Sequence, residues 1–128
     1  MKRFPFSANN FASVKIRPGN ISKYSNTIIN AKIDSGAAIF VMPYAHFKYF
    51  FHHKLLENGK EIEMCSASNH SLTGYIHQVP IFMPQIQANF NAEVCFYSGS
   101  RTLIGIDILK KYFHFCINKQ GFSLEFTP

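Results

Sequence analysis

Aspartate occurs only twice in this 128-residue chain, as Asp34 and Asp107, and tryptophan does not occur at all. A pair of aspartates within one chain could therefore have only one composition. Cysteine is almost as scarce. Cys65, Cys95 and Cys116 are odd in number and widely spaced, with no Cys-x-x-Cys pair. That pattern argues against a disulfide scaffold and a zinc site, and predicts reduced core thiols in a cytoplasmic compartment. Long apolar runs are missing too: the longest, Gly36 to Ala45, is broken by Pro43 and falls far short of the roughly 20 residues that a bilayer span needs. The first residues, Met1-Lys2-Arg3-Phe4-Pro5-Phe6, carry the basic head of a secretion signal without an apolar region behind it. No membrane segment is expected, and the protein reads as soluble. Internal repeats and low-complexity tracts are likewise lacking, which sets aside solenoids and disordered tails.

What the chain has is bulk. Hydrophobic residues make up 47% of it and Phe alone appears 14 times, against 16% charged residues, so it should fold around one core. Its length allows one domain with a sizeable interior. Residues 1–10, polar and broken by Pro5, are expected to form an extended N-terminal arm, and 11–128 the folded domain. The net charge of +6 could suggest a polyanionic partner. Its cations are scattered, however, with only Lys2-Arg3 and Lys110-Lys111 adjacent and no interleaved aromatic motif. A solvated surface is expected, and no nucleic-acid partner.

Periodicity divides the domain into short strands. Phe11–Arg17 alternates and closes at the turn signal Pro18-Gly19-Asn20, and Ser25–Ile33 is the next strand. Ala38–Met42 reads as a buried strand. Pro43 can open a helix over Tyr44–Glu57, apolar almost all round near its start, which Asn58-Gly59 would end as a left-handed cap. Strands are predicted over Lys60–Ser66 and Leu72–Met83, separated by the polar break Ser68-Asn69-His70-Ser71. Pro84 interrupts, Ile86–Tyr97 resumes, and Ser98-Gly99-Ser100 is a loop. A helix is predicted over Ile106–Tyr112, then two closing strands. The sum is a mostly-β, barrel-like fold.

The stretch Ala31-Lys32-Ile33-Asp34-Ser35-Gly36-Ala37 runs an apolar strand straight into an acid, a hydroxyl and a glycine. A carboxylate at the end of a buried strand costs desolvation energy, which marks Asp34 as the place to look for chemistry. Asp34-Ser35-Gly36-Ala37 is an Asp-Ser/Thr-Gly-Ala/Ser signature. A second element stands late in the chain: Leu103-Ile104-Gly105, then the Ile106–Tyr112 helix and a Phe113–Asn118, Gly121–Phe126 hairpin. Together they resemble the retropepsin-like aspartic proteases, over roughly Phe11 to Phe126.

That resemblance implies a homodimeric closed barrel with a flap hairpin, and an aspartic endopeptidase acting on peptide or protein without a cofactor. Asp34 would be the catalytic acid. Ser35 would bond across the two-fold axis, Gly36 would turn the chain and offer its carbonyl to substrate, and Gly105 would let a strand pack against the loop that crosses it. Ala37 and Leu103 match positions lining specificity pockets, and the flap tip Ser68, Asn69 and His70 would cover substrate. The tip lacks the usual glycines, although Asn tolerates the positive φ a tight turn needs. Two retroviral positions that carry an acid and an Arg are Ala38 and Ile106 here, an ion pair lost as a unit.

Asp107 lacks the Ser/Thr-Gly context and opens the predicted helix, where an acid caps or bonds a loop. With one competent Asp per chain, the dyad would need two copies. His46, His52, His53, His70, His77 and His114 show no His-x-x-x-His spacing, so no metal site is expected. Two other readings remain: a silent dimerisation or peptide-binding module of the same fold, and a basic, Phe-rich adaptor for an acidic partner.

Overall fold

The computed structural model describes residues 2–6, 13–19, 24–34, 36–51, 54–65, 68–118 and 121–127. Its largest unit is built from strands that alternate as the sequence demands. In β2 (Ser13–Pro18) and β3 (Ile29–Ile33) every second side chain is buried: Val14, Ile16, Ile29, Ala31 and Ile33 point inward, with Lys15, Asn30 and Lys32 outside. These strands pair antiparallel, Val14 opposite Ala31. The sheet continues through β8 (Leu103–Ile104), parallel to β3, then β4 (Phe40–Pro43), β7 (Ala88–Tyr97) and β6 (Ser71–Met83). It closes where Arg17 and Pro18 of β2 meet Phe82 and Ile81 of β6. The result is a closed six-stranded barrel, which leaves only the appended strand β5 (Lys60–Cys65) at an edge.

Inside the barrel lie Phe40, Met42, Val79, Ile81, Met83, Val94, Phe96 and Ile104, each fully buried. Each such side chain contributes about 1.5–3 kcal/mol through its burial. β4 is buried on both faces. Phe40 and Met42 enter the barrel, whereas Val41 joins Cys95 and Tyr97 in a second cluster outside the wall, against Ile62, Met64 and Leu72. The β5–β6 hairpin roofs that outer cluster, so an apolar floor and roof face one another beside the end of β3.

The remaining strands form a separate sheet in the order β1 (Lys2–Phe6), β10 (Gly121–Phe126), β9 (Phe113–Asn118). The segment expected as a free arm is thus extended but paired along its length, Lys2 opposite Phe126 and Phe6 opposite Phe122. α1 (Ile106–Tyr112) has the predicted bounds, with Asp107 in its first turn and Lys110 and Lys111 in its last, each complementing the helix dipole.

The mid-chain helix is a correction. Tyr44–Tyr49 is a 3₁₀ turn that stops at Phe50, and a second 3₁₀ turn spans Leu56–Asn58. The reason is packing: Phe47, Phe50 and Phe51 all turn toward the barrel, where Phe47 meets Phe96 edge-on at 5.2 Å and stands 4.8 Å from the buried His77. At i, i+3 and i+4 these rings would also suit one stripe of an α-helix, so the sequence spacing could not tell the two turns apart. They pack on the protein's own core. Gly59 is not a left-handed cap either, having φ −77° and ψ 168°. It is small because a Cβ there would lie 2.5 Å from His77 Nε2, which bonds the Leu56 carbonyl at 2.8 Å.

Candidate active site

Asp34 follows the last residue of β3 and is held by its backbone before its side chain does anything. Parallel pairing with β8 runs past the strand ends: Lys32 N–H donates to the Thr102 carbonyl and Asp34 N–H to the Ile104 carbonyl, both at 3.0 Å. The loop then turns on itself, Ala37 N–H donating to the Asp34 carbonyl at 3.1 Å. Its far side is fixed to α1 by Ile106 N–H on the Ala37 carbonyl at 2.8 Å. Within this frame Gly36 N–H donates to Asp34 Oδ1 at 2.9 Å, which orients the carboxyl group. Asp34 is half-buried.

Two glycines make the frame possible. A Cβ at Gly105 would lie 2.6 Å from the Ile39 carbonyl oxygen and 2.8 Å from that of Ala37, so only glycine lets the loop cross β8 here. Its φ of −89° is ordinary, and close approach alone is the requirement. At Gly36 a Cβ would come within 3.1 Å of Asp34 Oδ1.

A cleft of about 880 Å3 opens beside Asp34. Gly36, Ala37 and Leu103 line it, and Ser68 reaches it from the hairpin. Asn69 and His70 are exposed at the tip and are not part of its wall. Asn69 adopts φ 66°, the positive φ anticipated for a turn without glycine. Gly105 is buried behind the loop, and Ser35 lies outside the described residues, as do His52 and His53.

Several cleft residues escaped the sequence reading. Met64, Cys65 and Leu72 come from the roof, Tyr97 and Arg101 from the wall. Cys65 is exposed and is not the core thiol expected of it. Alternation along β5 carried that signal, since Ile62 and Met64 take the covered face. Cys95 is buried, and burial pushes its thiol up to about 11. The side chain of Cys116 lies outside the described set. Ala38 is exposed in the cleft, whereas Ile106 packs on the barrel core.

Asp107 is elsewhere and occupied. Its Oδ1 accepts Ile108 N–H at 2.8 Å, and its Oδ2 accepts Phe40 N–H at 3.4 Å, joining the first turn of α1 to the start of β4. Among the described residues no three His, Cys, Asp or Glu side chains are grouped to hold a metal ion, and no helix is long and apolar enough to cross a membrane. No family model matches the chain, and no characterised protein matches it. The site therefore has to be read from its own chemistry.

Proposed function

We propose that the protein is an aspartic endopeptidase of the retropepsin-like kind, assembled from two copies of the chain. The observation that carries this is the placement of Asp34. A half-buried carboxylate, oriented by a backbone N–H on a loop fixed to β8 and α1, borders an apolar cleft roofed by a hairpin. Hydrolysis of a peptide bond by this chemistry takes two carboxylates sharing one proton. One activates a water as the nucleophile; the other polarises the carbonyl and later protonates the leaving nitrogen. Asp107 is committed to Phe40 and Ile108, so Asp34 of a second copy is the available partner, on a two-fold axis.

Each supporting residue has a part in this scheme. Gly36 holds the carboxyl and presents its own carbonyl, Gly105 permits the crossing that fixes the loop, and Ala37 and Leu103 border the apolar subsites. Ser68, Asn69 and His70 form the tip of a cover that keeps bulk water from the reacting bond. Activity should favour acidic pH, where the shared proton is retained.

The test is cleavage of a peptide library between pH 4 and 7 by the wild-type chain and by Asp34→Asn, together with mass in solution. Cleavage by a dimer that Asp34→Asn loses supports the reading. Cleavage by a monomer, or cleavage that survives the substitution, overturns it. Peptide binding without cleavage by either protein would favour a silent peptide-binding module.

A further inference from the structure

We infer that the cleft selects peptides carrying an acidic side chain close to the cut, received by Arg101. This inference rests on the endopeptidase reading and names its substrate class. Among the residues lining the main cleft, Asp34 and Arg101 carry the formal charges, while Ile39, Val41, Met64 and Leu72 supply apolar walls. A second hollow of about 380 Å3 adjoins it, sharing Ser100, Arg101 and Leu103. The rest of that hollow is of another character. Ser13, Asn30, Ala31, Lys32 and Thr102 line it, and among the described residues no carboxylate does. The apolar cleft bordered by Asp34 and this more polar hollow thus share Arg101 in their linings.

The register sets the spacing. Lys32 pairs with Leu103 in the parallel β3–β8 ladder and stands two residues before Asp34, which follows the end of β3. An extended peptide advances about 3.3 Å per residue. A peptide extended alongside β3 with its scissile carbonyl at Asp34 would bring a side chain level with the Lys32–Leu103 pair about two residues from the cut.

Arg101 is also built to wait there. The Tyr97 hydroxyl donates to the Arg101 carbonyl at 2.9 Å and accepts Arg101 N–H at 3.2 Å. Gly99 lies so close to the Tyr97 ring that a Cβ would come within 2.2 Å of it. The loop is clamped on a buried ring, and the exposed guanidinium leaves from a fixed point. Pre-organised guanidinium groups take carboxylates through two parallel N–H bonds, which lysine cannot reproduce. The chain's net charge of +6 further favours encounter with acidic peptides.

Capped peptides with a central Leu-Phe pair, carrying one Glu moved through the flanking positions and each matched by its Gln isostere, test this. Binding is measured to the full chain bearing Asp34→Asn at pH 6 and low salt, and wild-type cleavage of the same set is read separately. At one position Glu should bind about tenfold more tightly than Gln. The preference should fade at molar salt and as pH drops through about 4.3, where Glu protonates. Adding Arg101→Gln should remove most of it, while Arg101→Lys restores part. Equal binding of Glu and Gln at every position, or a preference indifferent to Arg101→Gln, overturns the inference, as does failure of every peptide to bind. A Glu preference in binding with no wild-type cleavage would leave the recognition standing and end the endopeptidase reading.

Discussion

Asp34 and Asp107 stand just beyond two strands that pair with each other, β3 and β8, yet their surroundings use them in opposite ways. The turn after β8 needs an acceptor. Phe40 N–H, at the start of β4, is met by the Asp107 carboxylate, and the helix that Asp107 opens takes the other oxygen. In the loop after β3, Asp34 N–H and Ala37 N–H find backbone carbonyls, and the Ala37 carbonyl takes Ile106 N–H. Asp34 then receives one N–H from its neighbour Gly36 and faces a cleft. Asp107 ties two separate elements together through both of its oxygens, whereas Asp34 takes one N–H from its own loop at the edge of the cleft.

The sharpest way to break this contrast is to neutralise each acid in turn. Asp34→Asn should lower peptide cleavage by about 10^3-fold with the thermal midpoint nearly unchanged, a loss in the range of acid–base catalysis. Asp107→Asn, which keeps an acceptor oxygen, should leave cleavage within a few-fold of wild type. A larger loss of cleavage from Asp107→Asn than from Asp34→Asn would invert the assignment. Next in size is Gly105→Ala, whose Cβ collides with two carbonyl oxygens of the Asp34 loop. It should cost about 2–3 kcal/mol in urea unfolding, as overpacking against backbone does. Asp107→Ala removes both acceptors and should cost about 1–2 kcal/mol by the same measurement, with Phe40 N–H left unpaired.

The smallest effect sharpens the comparison with a group outside both loops. His46 is half-buried, its Nδ1 has no hydrogen-bond partner among the described residues, and burial lowers its pKa below 6.5. Below pH 6.5 the unfolded chain therefore binds more protons at this residue than the folded one. Its contribution to stability is fully present above that value and is lost as pH falls through the lowered one. His46→Asn should flatten the pH dependence of stability between pH 7 and 5, read by urea midpoints, while Asp107→Asn leaves that slope in place.

Much of the barrel was legible because its strands have one wet face. Alternation in Ser13–Pro18 and Ile29–Ile33 is a two-residue period that a helix does not produce, and α1 was marked at both ends by charge matched to its dipole. The mid-chain turn was misread as one helix because Tyr44–Phe51 is apolar enough to satisfy several periods, and tertiary packing on Phe96 and His77 chose a tighter one. Pairing of Lys2–Phe6 with β10 left no local trace, since its partner lies more than a hundred residues away. Of the cleft, Asp34, Gly36, Ala37 and Leu103 could be named from motif alone. Arg101 and Tyr97 could not, because a hydroxyl clamped on a loop four residues later is a fact of folded geometry.

Local order settled which segments alternate, where turns fall and which acid has a hydroxyl and a glycine after it, since these depend on neighbours in the chain. Only the closed barrel decided that Asp107 is consumed by a distant N–H, that Asp34 borders an apolar space, and that Arg101 lines the same cleft. Those outcomes follow from strands far apart in sequence being forced into register by a shared core, a constraint no short window of residues contains.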